Sequence, residues 1–337
     1  MRSDGTPDVP VLLLGLGPTT LSALEALCER FEVVGLVRDG TGQEPADETV
    51  QRAQALGVPV HSNVSVASVT ALVAELRPAC VVVSSYNRIL PASLLEACPF
   101  VNVHYAPLPR YRGRASVNWA LINGEPCTAI TIHTMLPGLD AGGILYQRLI
   151  PIGDTATVTD LYEQLNGLQR VALADAVQRR LDGDEGAPQS EADASYGCTR
   201  LPEDGEVDWS APTAAIDRLI RALTEPYPGA LTYLGTDRLW ITSAVPRADA
   251  PRYEGRVPGR VIGVSRAHGF VDVLTGDGVL RLLQVRPDGR SVMAASEAIT
   301  SVRMTLGLRA GDLLAKLIRL EQELAALRED DRSRQER

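Results

Sequence analysis

Lysine is nearly absent from this chain of 337 residues. Lys316 is the only lysine, the other basic side chains are arginines spread along the sequence, and the formal net charge is -9. Proteins that bind nucleic acid usually gather cations on one face, where they neutralise phosphates. The charge balance therefore argues against a nucleic-acid partner, although Arg110, Arg112 and Arg114 lie close together in one segment.

Paired cysteines and long apolar runs are also lacking. The five cysteines lie far apart, with no CxxC pair and no Cys/His cluster at the spacing of metal ligands. The missing cluster leads us to expect no bound metal. The odd number of cysteines argues against a disulfide framework, so we expect a cytoplasmic protein. The apolar run at residues 9–16 is too short to span a bilayer and lacks the charged flank of a signal peptide, so we expect no membrane attachment.

Phosphate-binding motifs are incomplete in this sequence. Gly15 and Gly17 follow the first predicted strand, but Thr20 stands where the GxGxxG fingerprint needs its third glycine. The sequence also has no GxxxxGK[ST] loop. We favour a simple glycine turn between a strand and a helix, and the alternative is a turn that holds a cofactor phosphate.

The first half of the chain alternates apolar strands with helices. This alternation predicts a parallel sheet covered by helices on both faces, and such sheets bind ligands at the carboxyl ends of their strands. The predicted strands lie at residues 9–14, 33–37, 79–84, 100–104 and 129–135. The predicted helices lie at residues 21–30, 48–56, 66–75 and 157–181.

The second half has a different pattern. Residues 183–204 are small, polar and acidic, which predicts a linker. A helical stretch at 213–223 precedes several short strands separated by Gly, Pro and Asp turns, which together predict a small β-barrel. These strands are predicted at 230–233, 239–244, 260–264, 270–275 and 279–285.

We therefore divide the chain into five parts. They are a first domain at 1–182, the linker at 183–204, a second domain at 205–308, a C-terminal helix at 309–330 and a disordered tail at 331–337. In the C-terminal helix, leucines alternate at spacings of four and three, as in the a/d seam of a coiled coil, at positions Leu313, Leu317, Leu320, Leu324 and Leu327. With about two heptads, this seam either packs on its own domain or forms a homodimer contact.

Two polar side chains share one predicted strand. Asn102 and His104 are separated by one residue, so they project from the same face. Asp140 lies in a glycine-flanked loop after the strand at 129–135, from which its carboxylate can approach His104. A carboxylate raises the basicity of an imidazole, and a nearby amide can stabilise a developing oxyanion. These roles suit acyl transfer to an amine. The alternatives are that His104 is a hydrogen-bonded structural histidine and that Asp140 belongs to a plain Asx or glycine turn.

One more histidine, His133, lies at the end of the predicted strand that precedes Asp140. We favour the interpretation that it sits on the sheet face, and the alternative is that it borders the pocket.

The order of these motifs resembles the 10-formyltetrahydrofolate-dependent formyltransferases. That family has an NxH motif, an LPxYxG motif and a GxDxG loop, which correspond here to residues 102–104, 108–113 and 138–142. Residues 205–209 and 226–230 resemble the start of the OB-like domain of methionyl-tRNA and sugar formyltransferases. The resemblance implies a Rossmann-like parallel-sheet catalytic domain, a small OB-like β-barrel domain and a C-terminal helix.

The resemblance also implies a site. Its catalytic residues would be Asn102, His104 and Asp140, with 10-formyltetrahydrofolate as the co-substrate. The candidates for the folate site follow the fourth strand of the family fold or precede Asp140, and they are Tyr86, Arg88, Ile89, Leu90, Gly138 and Leu139.

The acceptor is indicated by a further likeness. Residues 109–125 resemble the formyltransferase domain that modifies UDP-linked amino-arabinose, which implies a nucleotide-sugar acceptor. The candidate contacts are Pro109, Tyr111, Arg112 and Arg114, because guanidinium forks match the oxygens of a diphosphate.

Two loops depart from the family pattern. Residues 106–109 read APLP where many members read SLLP, and the loop at 38–48 is short and acidic where tRNA formyltransferases carry a lysine-rich insertion. We therefore expect an N-formyltransferase that acts on the primary amine of a nucleotide-linked amino sugar or a natural-product intermediate. The alternatives are a methionyl-tRNA formyltransferase, a formyltetrahydrofolate hydrolase and a non-enzymatic scaffold.

Overall fold

The computed structural model describes residues 9–39, 48–62 and 64–335, with side chains described as far as Arg328. Most of the predicted acidic loop at 38–48 lies outside these residues. The chain divides into two compact units, the first formed by residues 1–120, 125–156 and 160–200, and the second by residues 121–124, 157–159 and 201–337.

The first unit contains one large sheet and the helices that connect its strands. In chain order, the elements are β1 (Pro10–Gly15), α1 (Pro18–Cys28), β2 (Glu32–Arg38), α2 (Glu48–Ala55), β3 (Val60–Ser62), α3 (Val66–Leu76), β4 (Cys80–Ser84), α4 (Ala92–Leu95), β5 (Phe100–His104), β6 (Arg112–Gly113), α5 (Ser116–Asn123), β7 (Cys127–Thr134), β8 (Ile144–Pro151), α6 (Val158–Leu181) and β9 (Tyr196–Gly197). Within the described residues, seven of these strands form the large sheet, in the order β3-β2-β1-β4-β5-β7-β8.

This sheet is Rossmann-like but mixed. The strands β1 to β5 run parallel, whereas β7 and β8 run antiparallel to their neighbours. The predicted Rossmann-like parallel sheet is thus confirmed in β1 to β5. The antiparallel direction of β7 and β8 was not predicted, because an apolar pattern reveals burial and not chain direction. The strands β3 and β8 were not predicted: β3 is three residues long, and β8 is mostly exposed over its middle.

The position of β5 in this sheet determines where polar groups meet. The strands β1 and β4 are fully buried at their centres, and β5 pairs with β4 on one side and with β7 on the other. Because β7 is antiparallel, Asn102 of β5 lies directly opposite His133 of β7. The sheet therefore places side chains from both strands at the carboxyl end of β5.

The predicted linker belongs partly to the first unit. Residues 183–200 cluster with it, β9 pairs with β6, and Ala187 exchanges backbone hydrogen bonds with Ile144. The linker prediction at 183–204 was wrong for these residues, because their polar composition does not reveal that their backbone groups pair with the sheet domain.

The second unit contains an antiparallel sheet. Its elements are α7 (Thr213–Ala222), β10 (Ala230–Leu234), β11 (Asp237–Pro246), β12 (Val261–Ser265), β13 (Phe270–Leu274), β14 (Val279–Pro287), β15 (Met293–Ala294), α8 (Ala295–Ala298) and α9 (Ala310–Gln335). The strand order is β10-β11-β14-β13-β12, with β15 paired to β14. Each of the five longer strands was predicted to within a few residues.

The two edges of this sheet are joined by one short segment. Gly307 donates its backbone N–H to the Tyr233 carbonyl beside β10, at 2.9 Å. Leu306 donates to Gly259, and Met304 accepts from Val261, at the other edge beside β12. Each edge strand therefore has a backbone hydrogen bond to this segment, which covers part of both edges.

The helix α9 ends the described chain. It extends to Gln335, so residues 331–335, which were predicted to be disordered, are helical. Every residue from Leu317 to Arg328 is exposed. Within the described residues, no helix is both long and apolar enough to cross a membrane.

The turn after β1 owes its glycine to a close backbone approach. A Cβ atom at Gly15 would lie 2.0 Å from the carbonyl oxygen of Ser84 on β4. The side chain of Thr20 fills the same space, since its hydroxyl donates to that carbonyl at 2.7 Å. The close approach of β4 thus accounts for the glycine at position 15, whereas a Cβ atom at Gly17 would meet open space.

We expect Gly15→Ala to destabilise the protein by about 1–3 kcal/mol, because backbone atoms must shift to make room for the methyl group. Gly153→Ala is the matched control, since its Cβ would meet open space. Urea unfolding compares the two variants with the parent protein at unchanged m-value. Equal midpoints for both variants would contradict the close approach.

Candidate active site

The site lies at the carboxyl end of β5, where Asn102 and His104 project together. His104 is 8% exposed, whereas Asn102 is half-buried. The Asn102 Nδ2 atom lies 3.0 Å from His133 Nε2 and 3.3 Å from Asp140 Oδ1. The distant loop of Asp140 therefore does reach the two side chains of β5.

The Asp140 carboxylate is the common neighbour of the cluster. Its Oδ2 accepts a hydrogen bond from the backbone N–H of Gly113 at 2.8 Å and lies 3.8 Å from His104 Nδ1. Its Oδ1 faces Asn102 and lies 3.7 Å from His133 Nε2. One carboxylate thus contacts an amide, two imidazoles and a backbone donor.

Several of these neighbours favour the ionised form of Asp140. Burial by itself would raise the pKa of this carboxyl, but His133, the charge of His104 and the Gly113 N–H outweigh it and lower the pKa to about 2. Asp140 is therefore ionised throughout the neutral pH range.

The protonation of His104 follows from its contacts. Its Nε2 lies 2.8 Å from the Tyr111 carbonyl oxygen, which can only accept, so Nε2 holds the proton. Burial lowers the pKa of His104 below its usual 6.5, and His133 lowers it further, while the charge of Asp140 and the bond to Tyr111 offset part of that effect. A neutral His104 therefore presents an unprotonated Nδ1 towards Asp140.

His133 is a residue of the site that the sequence interpretation placed merely on the sheet face. Its Nδ1 donates to the Thr134 carbonyl at 2.7 Å, and its Nε2 lies 3.0 Å from Asn102 Nδ2. This contact holds the Asn102 amide against β7. The antiparallel register of β5 and β7 is what brings His133, which lies on a sheet strand as expected, to these side chains.

The loops around the cluster adopt a costly backbone conformation. Three non-glycine residues there have positive φ, namely Tyr111 at 59°, Ala115 at 56° and Asp140 at 50°. Such residues persist only where surrounding contacts impose them, and they concentrate at functional sites. The backbone of the site is thus held in place rather than relaxed.

Gln189 supplies part of that support, and nothing in its sequence context indicated it. Its Nε2 donates to the carbonyl oxygens of Asp140 and Gly142, both at 2.7 Å. Its Oε1 accepts from Arg112, with 2.9 Å to Nη2. The Gln189 amide therefore links the Asp140 loop to the loop after β5.

Arg112 has a different place from the one expected for a diphosphate contact. It is 1% exposed, and its guanidinium pairs with Glu191 at 2.7 Å as well as with Gln189. The prediction for Arg112 is thus corrected, because these bonds occupy the edges of its guanidinium. Arg114 is exposed, and its Nη2 donates to Asn87 Oδ1 at 2.6 Å.

The other two acceptor candidates line the same loop. Tyr111 donates its hydroxyl to Glu125 at 2.7 Å, and its backbone N–H donates to Ser195. Pro109 is half-buried, and its carbonyl accepts from the backbone N–H of Ser195 at 3.2 Å. Both residues are therefore held by the segment that was predicted to be a linker.

The folate candidates divide into buried and exposed side chains. Tyr86 and Leu90 pack in one apolar cluster with Met135, so the loop after β4 lies beside the end of β7. Ile89 is 90% exposed, and Leu139 is 55% exposed. Gly138, just before Leu139, has a φ of 148°.

One of these residues has an unsatisfied polar atom, and another is paired. The Tyr86 hydroxyl is buried and has no hydrogen-bond partner among the described residues, and burial raises its pKa. The Arg88 guanidinium donates to Asp39 at 2.7 Å. No group of three His, Cys, Asp or Glu side chains in the described parts of the chain is arranged to hold a metal ion.

An amide, a neutral imidazole and a carboxylate at the edge of a Rossmann-like sheet define a site suited to acyl-group chemistry. The family described as "Formyl transferase" matches residues 39–177, and "Formyl transferase, C-terminal domain" matches residues 201–303. The chain belongs to this formyltransferase family.

Solved structures with a similar fold share low sequence identity with this chain. HypX from Aquifex aeolicus, in complex with tetrahydrofolic acid, has 17% identity and a TM-score of 0.62, over 87% of this chain and 47% of that one. The N-formyltransferase from Helicobacter canadensis, in complex with folinic acid and dTDP-3-aminofucose, has 15% identity and a TM-score of 0.61, over 81% and 98%.

A sugar N-formyltransferase from a Shewanella species has 20% identity and a TM-score of 0.54, over 66% of this chain and 92% of that one. The chain spans about half the length of HypX. At these identities the likenesses establish the fold.

We expect the pKa of His104 to lie below 6.5, with the neutral ring protonated at Nε2. Asp140→Asn should lower this pKa further, because it removes the negative charge that favours the imidazolium. Nitrogen-15 NMR across a pH titration resolves this, since the chain has only four histidines. A His104 pKa above 6.5, or one that rises in Asp140→Asn, would contradict this account.

Proposed function

We propose that this protein is an N-formyltransferase that moves the formyl group of 10-formyltetrahydrofolate to the primary amine of a small molecule. The observation that supports it best is the contact of Asn102, His104 and Asp140 at the carboxyl end of β5. Family membership supports the same reaction class.

The residues near the site fit the co-substrate. The Tyr86 hydroxyl, buried without a described partner, offers a polar contact for the folate, and the exposed side chains of Ile89 and Leu139 offer apolar surface for its ring system. Arg88, Leu90 and Gly138 belong to the same two loops. When bound, 10-formyltetrahydrofolate supplies the formyl group, and the amine nitrogen forms the new bond to its carbon.

Asn102 would stabilise the formyl oxygen as negative charge develops on it. One of its two N–H groups is committed to His133 at 3.0 Å, whereas the other makes a longer contact of 3.3 Å to Asp140. The second N–H can donate to an oxygen of the reactant that lies along its direction, and the first keeps the amide oriented.

His104 and Asp140 would manage the proton. The unprotonated Nδ1 of neutral His104 accepts the proton that the amine loses, and Asp140, 3.8 Å away, stabilises the imidazolium that results. The same pair returns the proton to the folate nitrogen as its bond to the formyl carbon breaks. The positive charge of the resulting imidazolium also stabilises the negative charge that develops on the formyl oxygen.

We infer that the acceptor is a nucleotide-linked amino sugar or a related natural-product intermediate. Arg114 supports this choice, because its exposed guanidinium lies in the loop after β5 and can meet an anionic group. The similar protein from Helicobacter canadensis is an N-formyltransferase in complex with dTDP-3-aminofucose. The similar protein from a Shewanella species is a sugar N-formyltransferase. Pro109 and Tyr111 would frame the acceptor from the same loop.

We expect His104→Ala to lower turnover about 1,000-fold, because it removes the proton acceptor. Affinity for folate should change little, since the folate candidates lie on other loops. His61→Ala is the matched control, because β3 is separated from β5 by three strands of the sheet. Formylation rates and calorimetric titration with folinic acid measure the two effects, and near-normal turnover in His104→Ala would refute the assignment.

We expect incubation with 10-formyltetrahydrofolate and a panel of amino-sugar nucleotides to add one formyl group to one acceptor, detected by mass spectrometry. Arg114→Ala should raise the KM for that acceptor roughly 10-fold with little change in kcat, because it removes a contact that is equally strong in the ground state and in the transition state. Formylation of methionyl-tRNA instead, or release of formate without any amine, would support one of the alternative activities.

A further inference from the structure

The helix α9 leaves a row of large apolar side chains exposed. Their exposed fractions are 47% for Leu313, 54% for Leu317, 49% for Leu320, 48% for Leu324 and 67% for Leu327. Contiguous apolar surface of this kind marks an interaction site in a soluble chain. A helix exposed on all sides is also only marginally stable alone, so burial against a partner would stabilise it.

The row has the register of a coiled coil. The spacings of four and three assign Leu317 and Leu324 to position a, and Leu313, Leu320 and Leu327 to position d. Leu314, which is 58% exposed, occupies an adjacent e position and widens the apolar face. We call these a and d positions the leucine seam.

The charges beside the leucine seam are complementary to a second copy of the same helix. In a parallel coiled coil, each g position faces the e position five residues further along the partner. Lys316 at g then faces Glu321 at e, and Glu323 at g faces Arg328 at e. Both pairings join opposite charges.

We propose that the leucine seam binds a second copy of this chain as a parallel, in-register, two-stranded coiled coil. The occupant is a copy of α9 itself, because its own flanking charges provide the complement in this register. The proposal is independent of the proposed activity, since its residues lie on α9 and the catalytic candidates lie in the other unit.

Light scattering of the full chain tests the contact itself. We expect the parent protein to be a dimer, and the double variant Leu317→Glu/Leu324→Glu to be a monomer, because charges at a positions cannot be buried. Ala315→Glu is the matched control, because position 315 is exposed and lies on the face opposite the seam. A monomeric parent protein, or a double variant that remains dimeric, would overturn the proposal.

Charge exchange tests the orientation. Lys316→Glu places two glutamates opposite each other, so it should weaken the dimer roughly 10-fold. The exchange Lys316→Glu/Glu321→Lys should restore parental affinity, measured by analytical ultracentrifugation. In an antiparallel pair Lys316 would face Glu323, so failure of the exchange to restore affinity would exclude the parallel register.

Zero-length carbodiimide cross-linking provides an independent measurement, because Lys316 is the only lysine of the chain. Mixed light and nitrogen-15-labelled protein distinguishes links between copies from links within one helix. We expect the link between copies to join Lys316 to Glu321. A predominant link to Glu323 would show an antiparallel pair and would contradict the proposal.

Discussion

The burial of the Asp140 carboxylate is the constraint on which the rest of the site depends. A buried anion is costly unless every oxygen has a partner, and here the Gly113 N–H donates to Oδ2 and the Asn102 amide to Oδ1. To bring those partners together, the chain accepts a left-handed backbone conformation at Asp140 itself. The hydrogen bonds to the carboxylate therefore offset the cost of the left-handed backbone at Asp140.

The same constraint explains why residues far from β5 belong to the site. The amide of Gln189 holds the Asp140 loop through two carbonyl oxygens, and buried Arg112 holds Gln189 in turn. Precision of this kind matters for catalysis, because small displacements of reacting groups reduce rates strongly. Arg112 thus supports the proposed chemistry by holding Gln189 in position.

The second unit differs in how far its sheet edges and its C-terminal helix are covered. The segment 304–307 forms a backbone hydrogen bond with each of the two edge strands, so part of each edge is covered. The leucine seam of α9 is the opposite case, since its apolar face remains exposed in the single chain. The proposed coiled coil would bury this row of leucines.

The sequence by itself determined the element pattern and the chemistry of the candidate site. Periodicity located most strands and helices, and the spacing of Asn102 and His104 placed them on one face, because these features depend on neighbouring residues alone. Only the tertiary structure decided the antiparallel direction of β7, which brings His133 to Asn102, and the folding of residues 183–200 onto the first unit, which brings Gln189 to Asp140. These are contacts between segments distant in sequence, and they depend on strand direction and backbone pairing, which composition and periodicity do not encode.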